Sequence, residues 1–524
     1  MSSEYDAVVA GGGHNSLVTA AYLAKAGLSV LVLESRNVIG GNTTTEELTI
    51  PGFKHDSCSS AHVLIQNSPL IKRNELHLDK YGLSYIRPDI VVSMPFLGGH
   101  NFTMRKDEEK TVEEISRYSK KDAQEYRKLL NDWKEVAPLY AEERLNPPRK
   151  ESTILSMYES LPNGEEWLRT RMRSSKEIIE DRFEESHVRA FLCWMAFQTV
   201  QPVTRKNTGF LAFSLVAGRQ AHSWTLPRGG SIQLPLALQK FIEERGGKVV
   251  LSAHVTRILV ENGRAVGFEA KDGRRFYGRK ACISSIHVKH LSEMVDRKLI
   301  PEEFERSVKN WRAGVSLFVT HYALSEAPKY IAEDGKHVIS GTGGAAESIE
   351  DLSRACLMIE QGELVYDKPP LLLVCPTVSD PSRAPSGKHT YKVISFVPGA
   401  PKSGSWDDIK DGFSKAIEDY LGKITRNFGK SIILGRLVES PLDLSRRNPA
   451  NWGGSCHGGD MASDQNGVFR PSPSWSNYKL FIPSLYQTGS CTHPGGSVSA
   501  GPGRNAAKVV LEDLGYDFEK IALS

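Results

Sequence analysis

No stretch of this 524-residue sequence stays apolar for the roughly 18 residues that a membrane-spanning helix needs. It also lacks a Cys-x-x-Cys pair, an internal repeat and a low-complexity linker. The first of these absences argues against a helical membrane-spanning chain. The seven cysteines, Cys58, Cys193, Cys282, Cys356, Cys375, Cys456 and Cys491, are odd in number and scattered. That pattern argues for a reducing compartment and against both a disulfide framework and a structural metal. A charge imbalance is missing too: Lys and Arg number 66 against 62 acids, a balance of +4 too diffuse to imply a nucleic-acid partner. A first strand starting near Tyr5 leaves no room for a secretory or transit segment, so the expected location is cytoplasmic.

What is present is an ordinary globular composition, 40% apolar and 24% charged, over a length that calls for more than one structural unit. The one local basic run, Arg169, Arg171, Arg173 and Lys176, has helical spacing. It reads first as a solvated helix face, and second as a peripheral contact with an anionic membrane.

The chemistry begins at the amino terminus. Asp6-Ala7-Val8-Val9-Ala10 has the apolar character of a buried parallel strand. It is followed directly by Gly11-Gly12-Gly13-His14-Asn15-Ser16 and a helical run over 17–26 that Gly27 ends. Strand, glycine turn and helix form the unit that cradles a dinucleotide pyrophosphate. Gly11 permits the tight turn, Gly13 lets backbone approach the phosphates, and the helix start offers N–H groups and positive dipole. Ser16 stands where the usual third glycine would be. A second apolar strand over 28–33 ends in Glu34, followed by Ser35. An acid there accepts from ribose hydroxyls and repels a 2′-phosphate, which disfavours NADP.

A few residues later comes a second glycine turn, Val38-Ile39-Gly40-Gly41-Asn42. By itself this is a turn; in this position, where NAD enzymes need no such loop, it resembles the second flavin loop of the amine oxidase and phytoene desaturase flavoproteins, which implies FAD. Near the other end, a short strand over 485–490 closes in Gly489 and Ser490. It leads through Cys491-Thr492-His493-Pro494-Gly495-Gly496-Ser497-Val498 into a helix expected over 503–514, capped by Gly515. A helix start there suits the negative charge that a reduced flavin carries near N1.

Taken together, these stretches resemble the phytoene-desaturase-related flavoproteins, a group of carotenoid desaturases, desaturase-like ketolases and phytoene-dehydrogenase-related proteins. Further matching stretches are Pro51-Gly52-Phe53, Pro227-Arg228-Gly229-Gly230-Ser231, Asp380 through Gly387, Asp464-Gln465, Arg470-Pro471 and Gly503-Arg504-Asn505-Ala506-Ala507. The resemblance implies an α/β fold with a discontinuous Rossmann-like FAD-binding domain of the glutathione-reductase/amine-oxidase type (1–100, 225–305 and 475–524). It also implies a helical cap (101–224) and a mixed-sheet substrate domain (306–474). By the same implication Val255, in a strand expected over 249–258, offers its backbone to the adenine, and Ser59 and Ser60 run past the flavin ring. Two departures stand out: Asn42 replaces an arginine common in desaturases, and His457 in Gly453-Gly454-Ser455-Cys456-His457 is displaced by one position from the family's histidine.

Long helices are expected over 112–136 and 174–198, with Phe191 through Phe197 as core or tunnel wall. Extended runs over 317–323, 371–374 and 391–397 suit a substrate sheet, and a helix is expected over 406–426. The segment Ser340-Gly341-Thr342-Gly343-Gly344 mimics another nucleotide turn, but the strand after it ends in Cys375, not an acid, so a second dinucleotide site is not expected.

The implied reaction is dehydrogenation of an organic, apolar substrate by hydride transfer to flavin N5, with oxygen, a quinone or another carrier taking the electrons. Still open at this stage are an amine-oxidase-like reaction on a small soluble substrate, ketolation or isomerisation of a polyene, and a flavin-bound scaffold without turnover. Candidate acid/base residues are His62 and His493. Arg504 is a candidate for holding a phosphate or flavin oxygen, and Cys58 and Cys491 are the positions where a covalent link would fall.

Overall fold

Fully buried strands need apolar side chains on both faces, and Tyr5–Ala10 and Val30–Leu33 supply them. In a computed structural model describing residues 4–524 they form the middle of a seven-stranded sheet. The order across it is Val255–Glu261, Arg264–Ala270, Arg275–Ser284, Tyr5–Ala10, Val30–Leu33 and Lys248–Val250, with Leu485–Gln487 also paired to Arg275–Ser284. The central pairings are parallel and the outer hairpins antiparallel. Helices His14–Lys25, Gln233–Glu244 and Gly501–Asp513 pack together with this sheet in one core. The first begins three residues earlier than the expected 17 and the last two earlier than 503, each directly at the end of its loop.

The strand expected over 249–258 is two strands at opposite edges of the sheet. The chain turns between them at Ser252, with φ +53°, and the amides of Ser252 and Ala253 bond to the carbonyls of Arg36 and Glu34. The turn therefore folds over the acidic end of the second strand.

A second sheet runs in the order Ile433–Glu439, Val315–Leu324, His389–Pro398, Leu371–Val374, Thr342–Ala345, Ile90–Pro95 and Asn101–Arg105. It is mixed, because Thr342–Ala345 meets Ile90–Pro95 in parallel. The domain boundary expected at residue 100 therefore falls inside a hairpin of this sheet: residues 90–105 are paired with strands of the second sheet, not of the first.

A group of helices from residues 108–222 packs on one face of the second sheet in a shared core. The helix expected over 112–136 is broken into Glu108–Ser116 and Lys120–Arg144, the second capped by Ser119. That expected over 174–198 is broken into Ser175–Arg182 and Ser186–Phe197, where Glu185 accepts from the Val188 amide. The basic run is neutralised by acids: Arg169 meets Glu166, Arg171 meets Glu143 and Glu151, Arg173 meets Asp181, and Lys176 meets Glu180. Among the described residues no helix is long and apolar enough to cross a membrane.

Phe191 through Phe197 are buried. Trp194 Nε1 donates to the Leu371 carbonyl at 2.8 Å, and Phe197 packs on Phe396 with ring centroids 4.5 Å apart. Helix and second sheet are thereby locked together.

Candidate functional site

A cavity of about 680 Å³ runs from the glycine turns of the first sheet to the inner face of the second. At its first end each glycine has its own reason. A Cβ on Gly11, whose φ is +104°, would lie 2.2 Å from Ser285 Oγ, and one on Gly12 would lie 2.9 Å from Glu34 Oε2. A Cβ on Gly13 would meet nothing, because that residue opens on the cavity. The Gly12 amide donates to Glu34 Oε2 at 2.7 Å, and the Arg36 amide and Ser35 hydroxyl donate to Glu34 Oε1. The acid is thus fixed at the cavity wall. Gly40 does not line the cavity: its amide donates to the Gly12 carbonyl at 2.8 Å and ties the two loops together, leaving Gly41 and Asn42 to face inward.

At the start of helix His14–Lys25, His14 Nε2, Asn15 Oδ1 and Ser16 Oγ are buried without a hydrogen-bond partner, and all three residues line the cavity. Orphaned polar atoms beside a helix amino terminus and an open glycine cradle make a donor and acceptor set that fits a flavin dinucleotide. Burial lowers the His14 pKa to about 4, so its ring is neutral. Ser59, Ser60, Val255, Gly489, Ser490, Gly496, Ser497 and Val498 also line the cavity. A Cβ on Gly496 would lie 2.4 Å from His457 Cα, so glycine is what lets the carboxyl-terminal loop close on the 453–459 loop.

Several stretches that carried the family resemblance act as scaffold behind this wall. Arg470, fully buried, donates to the carbonyls of Ser490, Asp460, Gln465, His457 and Gly458. Asp56 accepts from the Ser231 amide and pairs with Arg383 at 2.8 Å, while Asp380 accepts from the Gly229 amide. Asn42 donates to Asn451 and accepts from Asn448, holding the second glycine loop to the 448–451 segment.

Several expected site residues lie elsewhere. His62 Nε2 is 2.7 Å from Ser231 Oγ, His493 Nε2 donates to the Glu143 carbonyl, and neither lines the cavity. Burial lowers both to a pKa of about 3. They are neutral structural rings. Arg504 makes a bidentate pair with buried Glu75, so it faces neither phosphate nor flavin oxygen. Cys491 is buried outside the cavity, whereas Cys58 and Cys456 both line it.

Sequence reasoning missed Lys392, Arg219, Trp224 and the cavity position of His457. Lys392 Nζ donates to the Cys58 carbonyl at 2.5 Å, the Ser60 hydroxyl at 2.7 Å and the Asp56 carbonyl at 3.3 Å. It pins the 56–60 strap to the second sheet, and burial pulls its pKa down. A lysine inside the apolar run Tyr391 through Val397 was a usable signal. Arg219, on an ordinary helix, offered none.

The sequence pattern of flavin-containing amine oxidoreductases matches residues 17–448. One of the subunits of limonene dehydrogenase from Castellaniella defragrans is 30% identical over 98% of this chain and 95% of its own length. The lycopene-forming phytoene desaturase of Pantoea ananas is 24% identical, covering 97% of this chain and 99% of that one. A double mutant of putrescine oxidase shares the fold with a TM-score of 0.63 at 15% identity, covering 98% of this chain and 99% of that one. With its glycine cradle and fixed acid, the chain belongs to the flavin-containing amine oxidoreductase family and is an FAD-dependent oxidoreductase.

Proposed function

We propose that this enzyme dehydrogenates an apolar organic substrate. The observation carrying this is the far half of the cavity, where Leu317, Leu372, Val374, Ile394 and Phe396 of the second sheet face Val200 and Trp224 of the cap. When bound, FAD supplies a two-electron acceptor at N5. The chain's part is to hold and orient. In this reading Gly11, Gly13, His14, Asn15 and Ser16 face the pyrophosphate, while Glu34, Ser35 and Val255 face the adenosine. Gly41, Asn42, Ser59, Ser60, Gly489, Ser490, Gly496, Ser497 and Val498 face the flavin half, with Gly40 as the tie between loops. Residues 4–89, 225–305 and 475–524 make the FAD unit, 106–224 the cap, and 90–105 with 306–474 the substrate unit.

The apolar walls exclude water and leave the substrate to be positioned by shape. Against a protonated amine stands the charge of this half: Lys392 and Arg219 line it, and the described lining acids, Glu34 and Glu293, belong to nucleotide-side segments. Electrons then leave for oxygen, a quinone or another carrier. The unpaired cysteines support a reducing, cytoplasmic setting.

The test is anaerobic titration of the purified yellow protein with panels of apolar compounds and of amines, reading flavin absorbance. Bleaching by apolar compounds alone is the expected result. Bleaching by amines alone, or a colourless protein that FAD does not reconstitute, would sink the reading.

A further inference from the structure

Arg219 sits on helix Leu211–His222 of the cap, 8% exposed, with its side chain on the cavity. Its guanidinium carbon lies 4.1 Å from the centre of the Trp224 ring. That stack satisfies the face of the cation and leaves its N–H donors, which lie in the plane, free for an acceptor. Nε is buried and has no hydrogen-bond partner. No acid acts on the group: burial alone lowers its pKa, to about 9.

The other buried arginines each have acceptors, although Nε and Nη1 of Arg383 are also without a partner; what sets Arg219 apart is that no hydrogen bond or ion pair reaches its guanidinium among the described residues. Arg383 pairs with Asp56, Arg504 with Glu75, and Arg470 with a ring of carbonyls. A buried cation without a counter-charge is destabilising unless something pairs with it in the working state. Lys392, the other cation in this half, already spends its donors on the 56–60 strap. The glycine loops and the His14 helix start serve the nucleotide phosphates at the opposite end. What Arg219 lacks is therefore an anion that arrives with the cavity's occupant, whose body must suit Leu372, Val374, Ile394 and Phe396.

We infer that the substrate is an apolar organic carboxylate and that Arg219 anchors its head group. A single guanidinium fork matches the two oxygens of a carboxylate, whereas a phosphate, with more charge and a third oxygen, would call for further donors that are not built here. The inference deepens the dehydrogenase reading and rests on it for the identity of the occupant as substrate.

Calorimetry on the purified holoenzyme with decanoate, decanol, decylamine and decyl phosphate tests it without requiring turnover. Decanoate is expected to bind at least about tenfold more tightly than decanol, as a desolvated bidentate ion pair implies, and decylamine to give no binding. Arg219→Gln should bring the decanoate-to-decanol ratio to near one, and Arg219→Lys should keep part of the preference. A ratio near one in the wild type, a preference that survives Arg219→Gln, or decyl phosphate binding more tightly than decanoate would each overturn the inference. Should Arg219→Gln not fold, the wild-type ratio and decylamine still decide. Carboxylate preference in a protein whose flavin no compound bleaches would uphold the anchor and defeat the dehydrogenase reading instead.

Discussion

Gly11 and Gly13 share one turn yet answer to different constraints. Gly11 is held by its positive φ and by Ser285, while Gly13 has ordinary backbone and empty space where a side chain would be. Gly13→Val is therefore expected to fold as the wild type does and to lose FAD affinity by at least about tenfold, because the added methyls occupy the phosphate cradle. Visible absorbance relative to protein absorbance, with melting of the apoprotein, checks both halves. Arg504 makes the opposite case. Replacing it by Met leaves Glu75, whose side chain is fully buried and also accepts from Tyr22, with only the longer 3.9 Å contact to Arg73 as a counter-charge. A loss of about 3–5 kcal/mol in denaturant unfolding is expected, with FAD content unchanged in the protein that remains folded. At this scale the glycines and Glu34 were legible because their chemistry is local, whereas His62 and His493 were not. A lone histidine carries no mark of how deeply it will be buried or which carbonyl will hold it.

Elements depart from sequence expectation where packing decides. Gly343 and Gly344, in a segment that mimics a nucleotide turn, lie inside strand Thr342–Ala345. A Cβ on Gly344 would come within 2.7 Å of the Trp194 indole, the same ring that hydrogen-bonds to the neighbouring strand. Its glycine serves close approach of the cap helix to the sheet. Gly344→Ala is expected to cost about 1–3 kcal/mol by overpacking, read as a lower urea midpoint with an unchanged slope, and to leave FAD binding intact. The breaks in the cap helices are held by local caps, Ser119 accepting from the Asp122 amide and Glu185 from the Val188 amide.

Over the whole molecule, neutral buried histidines set the response to acid. Burial lowers His14 and His457 to about 4 and His62, His287 and His493 to about 3. The unfolded chain binds their protons near pH 6.5, and the folded chain does not until pH 4 or lower. Stability contributed by keeping them neutral is therefore full above about pH 6.5 and is lost as pH falls, by up to about 1.4 kcal/mol per histidine per pH unit. Glu439, raised to about 7 by burial, works the other way between its unfolded value and 7, but it is one group against these five histidines and the equally buried His55 and His321, which burial also lowers. The melting temperature by scanning calorimetry is expected to decline steadily from pH 6.5 towards 4.5; a flat profile would contradict the neutral assignment.

The strand, glycine turn, helix and terminal acid at the amino terminus were determined by the sequence alone, since they lie within one short segment and their spacing sets their local structure. The 90–105 hairpin, the division of the 249–258 run, and the far half of the cavity were decided only in three dimensions. Arg219, Lys392 and His457 come from the cap, the second sheet and a late loop, and each is ordinary among its neighbours along the chain. They acquire meaning through burial and through the partners that folding supplies to Lys392 and withholds from Arg219, because the free energy of a charge depends on what surrounds it in space.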